Sequence, residues 1–316
     1  MPSHSNPSSP LRAAHGERRL SWPVLLGAGA LLAGAAWNLG TLAYAYFATH
    51  PLRFRVRRTP AAVGLPYENI TFLTPDGLRL SSWLIPAPPE KDAGAVVIVC
   101  HGYPMNRQEM LPHAAMLHAA GYTTLLFDFR ALGESEGDLC SVGHHEVEDM
   151  RGALDYLASR PDTASLPVGA LGHSLGGAVA IMTAAQDARL RAVVAEASYP
   201  TLQEAIDTRC RAMLGPLGPP VAQSVCRWAK RWVPIEPCDV APKEAIRHIS
   251  PRAVMIIQGQ RDPQVRWQEA VAMYQNAREP RELWLLPKSG HARCLADAPD
   301  EYARRVTAFF ARHLKS

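Results

Sequence analysis

The stretch Val168-Gly169-Ala170-Leu171-Gly172-His173-Ser174-Leu175-Gly176-Gly177-Ala178-Val179-Ala180 decides how this chain folds. Its first four residues read as a buried strand, and the apolar run Leu175–Gln186 reads as a helix. Between them, Gly172-x-Ser174-x-Gly176 leaves no room for a loop. The chain must turn abruptly from strand to helix, with Ser174 held in a strained conformation that lifts its hydroxyl above the sheet. Glycines are needed two residues before and after, because a side chain there would collide with the turn. A five-residue pattern of this kind also arises by chance; its weight comes from lying between a strand and a helix.

Outward from this turn the same rhythm repeats. Asn69–Leu73 and Leu78–Ile85 predict a hairpin around Asp76-Gly77. Val96–Cys100 is a continuous apolar run, as a strand buried on both faces requires. Asn106–Ala120 predicts a helix ending at Gly121, Thr123–Phe129 a strand and Glu146–Ser159 a helix. Further on, Ala192–Ala197, Ala253–Gln258 and Leu283–Leu286 predict strands, and Trp267–Asn276 and Glu301–Leu314 helices. Such alternation belongs to the α/β class, with a mostly parallel central sheet and helices on both faces. Tyr199–Arg247 breaks the rhythm with five prolines between 216 and 237. Within it Val221, Val225, Trp228 and Trp232 recur at helical spacing, with Arg227, Lys230 and Arg231 on another face. It reads as a short cap over the carboxyl ends of the strands, where open α/β sheets place their sites. A helix packed on the flank of the domain is the alternative.

A serine hydroxyl is a poor nucleophile until a base takes its proton. Of twelve histidines, His291 stands out: Gly290-His291 follows the last predicted strand and ends on the same sheet edge as Ser174. An imidazole in turn needs an acid to fix its tautomer and stabilise its protonated form. Asp262, in Gly259-Gln260-Arg261-Asp262, follows the preceding strand, and Glu196, at the end of an earlier one, is the rival. Two main-chain N–H groups would hold an oxyanion, those of Leu175 and Tyr103; Pro104 has none. Asp297 and Asp300 read as helix N-caps. The loop Asp128-Phe129-Arg130-Ala131-Leu132-Gly133-Glu134-Ser135 reads as a structural turn in which Asp128 and Arg130 satisfy backbone groups, not as a second acidic site.

From Trp22 to Phe47 no residue is charged. About 20 such residues, rising about 1.5 Å each, cross a bilayer core of roughly 30 Å. Trp22 lies at one edge and Tyr44, Tyr46 and Phe47 at the other, where amphipathic rings prefer to sit. A cleaved signal peptide would have an apolar region of about 7–15 residues, and this one is longer. A buried core helix would lack a partner, since the preceding tail is polar and rich in Pro and Ser. Arg53, Arg55, Arg57 and Arg58 after the run outnumber Arg12, Arg18 and Arg19 before it, which favours a cytoplasmic side for the large domain. Asn38 is a single polar intrusion that one helix can carry.

The 316 residues are 47% hydrophobic and 20% charged, which suits a globular core and excludes a disordered chain. A net charge of +4, with no arginine run interleaved with aromatics, gives no sign of a nucleic-acid partner, and none is expected. Cysteines at 100, 140, 210, 226, 238 and 294 lack C-x-x-C spacing, which argues against a zinc ribbon or thioredoxin-type site. Cys210, Cys226 and Cys238 lie close enough in sequence to permit a disulfide, which spacing alone cannot assign. No metal or cofactor is called for.

With Gly172–Gly176, the Gly259–Asp262 loop, Gly290-His291 and His101-Gly102 in place, the chain resembles the α/β-hydrolase superfamily over about residues 60–314. The single anchor, the hairpin start, His101-Gly102-Tyr103 and the short cap are similar, within it, to the membrane-anchored Bem46-like serine hydrolases. Ala131 departs from the pattern, because members often keep glycine there. The resemblance implies hydrolysis of esters or thioesters, including lipid-like or acylated substrates. A peptidase or acyltransferase on the same three residues remains an alternative. A catalytically silent tethered binding module is another, although such proteins usually lose one of the three. The expected layout is a disordered tail over 1–21, a transmembrane helix over 22–47, a basic linker over 48–62, and an α/β-hydrolase domain over 63–316 with its cap at about 199–247.

Overall fold

The computed structural model describes residues 21–315, so the expected tail falls almost wholly outside the described residues. Two compact units divide at Gly40/Thr41. The larger is built on one eight-stranded sheet. Its strands are β1 (Glu68–Leu73), β2 (Arg79–Ile85), β3 (Val96–Cys100), β4 (Thr123–Phe127), β5 (Val168–His173), β6 (Leu190–Glu196), β7 (Ala253–Gly259) and β8 (Arg281–Leu286). The order across the sheet is β1-β2-β4-β3-β5-β6-β7-β8. β2 pairs antiparallel with β1 and β4, and all other pairs are parallel. The helices are α1 (Trp22–Thr49), α2 (Leu111–Ala119), α3 (Glu146–Ser159), α4 (Leu175–Gln186), α5 (Leu202–Leu214), α6 (Gly218–Ala229), α7 (Pro242–Ala245), α8 (Trp267–Asn276), α9 (Cys294–Asp297) and α10 (Pro299–His313).

Alternation along β3 explains the layering. Val96, Ile98 and Cys100 point into a core shared with α3, α4 and α8, through residues such as Leu154, Val179 and Met273. Val97 and Val99 point the other way, onto Leu117 of α2 and Phe310 of α10. A strand covered on both faces has no solvent side, which is why its sequence shows no polar alternation. Burying each such aliphatic side chain stabilises the fold by roughly 1.5–3 kcal/mol. β3 pairs with β4 on one side and β5 on the other, so the direction of chain progression reverses there and the loops after β3 and β5 part. That opens a crevice at the carboxyl edge of the sheet.

The structure moves several expected boundaries. The helix expected over 106–120 begins as a 3-10 turn at Arg107–Met110, with Asn106 accepting the Gln108 N–H at 3.1 Å, and becomes α-helical at Leu111. β4 stops at Phe127 because Asp128 turns inward to accept the main-chain N–H groups of Arg107 and Glu134, at 2.6 and 2.8 Å. Neither Asp297 nor Asp300 is an N-cap: that position of α10 is Ala298, and the Asp297 carboxylate instead accepts the Ser289 hydroxyl at 2.8 Å. The six cysteines, all within the described residues, are free thiols, Cys210, Cys226 and Cys238 among them.

α1 runs to Thr49, two residues past its expected end, and among the described residues it is the one helix long and apolar enough to cross a membrane. Its buried residues, Thr41, Ala45 and Thr49, recur every four positions, so one stripe of its last turns is packed. The segment expected as a linker is held along the large unit. The Arg53 guanidinium donates to the carbonyls of Ser135 and Gly137, Asn106 donates to Phe54 O at 2.9 Å, and the Arg57 and Arg58 N–H groups donate to Gln108 Oε1 at 2.8 and 3.1 Å.

Candidate active site

The turn between β5 and α4 takes the expected form. Ser174 has φ 49° and ψ −111°, a region that a residue with a Cβ enters only under strain. The glycines are needed as read: a Cβ on Gly172 would lie 2.2 Å from Gly176 O, and one on Gly176 would lie 2.4 Å from Cys100 O. The Ser174 N–H donates to Glu196 O at 2.8 Å, which ties the turn to β6.

Loops after β7 and β8 bring the next two residues together. The Arg261 N–H donates to Ser289 O at 2.9 Å, joining the loops, and His291 Nδ1 lies 2.7 Å from Asp262 Oδ2. Asp262 Oδ1 accepts the N–H groups of Gln264 and Val265 at 2.7 and 3.0 Å, while Gln258 donates to Oδ2 at 2.9 Å. Burial raises the pKa of Asp262, but the bonds from His291 and the backbone outweigh it, and the acid is held below its usual range. A carboxylate so placed fixes the proton on Nδ1 and leaves Nε2 as the basic nitrogen.

His101-Gly102-Tyr103 forms the opposite lip. His101 Nε2 accepts the Phe129 N–H at 3.1 Å, so its Nδ1 carries the proton and donates to Gly102 O at 2.8 Å. Burial lowers the pKa of this imidazole, consistent with its neutral form. A Cβ on Gly102 would lie 3.5 Å from that of Ser174, which puts this lip beside the elbow. Leu175 is the first residue of α4, where main-chain N–H groups have no partner within the helix.

Ser174 and His291 open on one chamber of about 460 Å³, which Tyr103 and Leu175 also line. α5 and α6, from the proline-rich insertion, supply Ile206 and Val225, and the last turns of α1 supply Tyr44 and Phe47. Sequence reasoning missed this last contribution. The Tyr103 hydroxyl donates to Ala48 O at 3.0 Å and Phe47 O at 3.3 Å, and the Cys140 N–H donates to Thr49 O at 2.8 Å. Carbonyls that a helix end leaves orphaned are thus bound by the loops around the chamber.

Glu196, the rival acid, does not meet His291. Its carboxylate accepts the Cys294 N–H at 2.9 Å and the Tyr302 hydroxyl at 2.8 Å. His113 Nε2 and His173 Nε2 stand 3.7 and 3.9 Å from it, beyond hydrogen-bond reach. Burial raises Glu196 and the two imidazoles pull it down, with a net lowering. Burial also pushes the His173 imidazole below its ordinary 6.5. The Cys294 N–H adds to the lowering of Glu196. The available signal was a carboxylate ending the apolar run Ala192–Ala195 of the strand Leu190–Glu196, where a buried charge demands partners.

A model of the alpha/beta hydrolase family matches residues 96–305. The chain is 26% identical over 247 residues to the uncharacterised protein YfhR of Escherichia coli O157:H7, covering 77% of this chain and 80% of YfhR. It is 25% identical over 206 residues to protein bem46 of Schizosaccharomyces pombe, covering 65% of this chain and 63% of that one. Among solved structures, the Pyrococcus furiosus esterase Pf2001 superposes with a TM-score of 0.70 at 26% identity, covering 84% of this chain and 100% of the esterase.

Proposed function

The chain belongs to the alpha/beta hydrolase family, and from that premise we propose that it is a membrane-anchored serine hydrolase of carboxylic esters or thioesters. Ser174 is its nucleophile, His291 its base and Asp262 the acid that orients the imidazole. The N–H groups of Leu175 and Tyr103 are its oxyanion donors. The observation that carries this reading is the 2.7 Å bond from His291 Nδ1 to Asp262 Oδ2, made at the chamber onto which Ser174 opens from a strained turn. The likeness to an esterase supports the ester class.

In the reaction Ser174 Oγ bonds to the acyl carbon while His291 Nε2 takes the hydroxyl proton. The carbonyl electrons move to the oxygen, held by the two N–H groups, and their return breaks the bond to the leaving group. The imidazolium gives its proton to that alkoxide or thiolate, which departs as alcohol or thiol. Water then gives a proton to His291 and its hydroxide to the acyl carbon. Release of the acid returns the proton to Ser174. For the anchor, Trp22–Gly40 at about 1.5 Å per residue covers roughly 29 Å, close to one bilayer core. The arginines at 53, 55, 57 and 58 favour a cytoplasmic domain.

A fluorophosphonate probe tests the chemistry. The full chain is expected to carry the label on the peptide containing Ser174, and the folded Ser174→Ala variant to lose it; absence of label from the parent chain overturns the reading. Carbonate washing of membranes tests the anchor, with the chain, α1 attached, expected in the pellet and its appearance in the wash contradicting the proposal.

A further inference from the structure

The chamber is more specific than a general hydrolase requires. One wall is made by the last turns of α1, through Tyr44, Phe47 and Ala48, and the facing wall by Ile206, Val225 and Ala229 of the cap. Ser174 and His291 lie at the same chamber. The cations among its lining residues, Arg209 and Lys230, are both exposed, and Lys230 is paired with Glu236. Charge is therefore kept to the solvent end.

The surrounding surface is unusual as well. Phe47, Leu52 and Phe54 all line the chamber, yet they are 55%, 75% and 50% exposed. Large apolar side chains left in water next to a cavity mark a place where apolar ligands arrive. Phe47 lies in the last turn of α1, an apolar helix of membrane-spanning length, and Leu52 and Phe54 follow it closely in sequence. The wall is also fixed in place. Trp232, just past the end of α6, packs edge-on against Tyr46 and His50 with ring centroids 5.6 Å apart in each pair, joining the cap to the end of α1. Tyr103 binds the carbonyls of Phe47 and Ala48. Burial raises the pKa of that phenol, so it stays a donor.

We infer that this chamber receives the fatty acyl chain of a membrane-borne ester, and that the last two turns of the N-terminal helix are the wall that grips the chain. The inference rests on the serine-hydrolase reading above and adds its substrate class. An extended hydrocarbon fills a narrow apolar space one methylene at a time. Each buried methylene favours binding by up to about fourfold, a gain that a short acyl group forgoes.

The test uses the full chain reconstituted in phosphatidylcholine vesicles and two fluorophosphonates, one with an ethyl and one with a dodecyl chain. The rate of Ser174 labelling is measured for each. The long probe is expected to react at least about tenfold faster. Because that probe also concentrates in the vesicle, the deciding comparison is between variants in the same vesicles. Ala48→Trp fills the helix-side wall and is expected to cut the long-to-short ratio by about tenfold or more. Ala43→Trp, at an exposed position of the same helix, is expected to keep it. If Ala48→Trp does not react with the short probe, Ala205→Trp on the cap wall supplies the same comparison. Equal rates for the two probes in the parent chain, or a ratio that falls in both variants or in neither, overturn the inference and leave the hydrolase reading standing. No labelling by either probe overturns both.

Discussion

Two carboxylates stand at the carboxyl ends of neighbouring strands, Glu196 closing β6 and Asp262 three residues beyond β7, and they do different work. Both are buried, at 1% and 8% exposure, and both are held below their usual range. Glu196 belongs to the strand itself, so it points into the structure and binds the α9 start and α10 through Cys294 and Tyr302. Asp262 lies on a loop that a main-chain bond to Ser289 fastens to the loop bearing His291, so it meets the imidazole at the chamber. A strand end therefore does not by itself bring a carboxylate to His291. The few loop residues that carry one carboxylate out to the rim do.

Substitution separates the two roles, and the largest effect is expected at the rim. Asp262→Asn keeps size but disturbs the tautomer of His291, and kcat/KM for an ester is expected to fall by about 10³–10⁴-fold with little change in thermal unfolding. If stability collapses instead, Asp262 and Glu196 play one role and the contrast fails. Glu196→Gln should show the reverse pattern. It is expected to cost about 2 kcal/mol, or some 4–8 °C in Tm for a domain of this size, while kcat stays within about tenfold.

Acid sharpens the same contrast. The folded pKa of Glu196 lies below its ordinary 4.5, so its contribution is present above that pH and lost as the pH falls through the lowered value. The stability gap between the parent chain and the Glu196→Gln variant is therefore expected to shrink on acidification below about pH 4.5, followed by chemical denaturation; a gap that grows would contradict the assignment. Tyr103→Phe removes only the bonds to Ala48 O and Phe47 O and is expected to cost about 1 kcal/mol. The smallest effect lies away from both carboxylates. Ala131 holds φ 60°, and Ala131→Gly is expected to change stability by between about 0 and +1 kcal/mol, a baseline against which the others are read.

The comparison also explains what could be read in advance. The elbow was legible because its constraint is local: steric demands at Gly172 and Gly176 act within five residues. The sheet was legible because strands buried on both faces print as apolar runs. Asp262 was legible through its place in the order Ser, Asp, His, but the partners of Glu196 lie 98 and 106 residues away and leave no mark in its own neighbourhood. The same holds for the wall formed by α1. Tyr103 reaches Ala48 across 55 positions, and in sequence the segment from 48 to 62 shows only its arginines. Val225 of the cap was read from helical spacing and does line the chamber, whereas Trp232 of the same spacing lies past the end of α6 and packs on Tyr46 instead.

The central claim is that residues 174, 262 and 291 act as one unit, and a double-variant cycle on ester hydrolysis tests it most directly. His291→Ala alone is expected to lower kcat by several orders of magnitude, and adding Asp262→Asn to it should change the rate by no more than about threefold, because an acid that works only through the imidazole has nothing left to support. Two losses that multiply, or a His291→Ala chain that retains parental activity, would contradict the account.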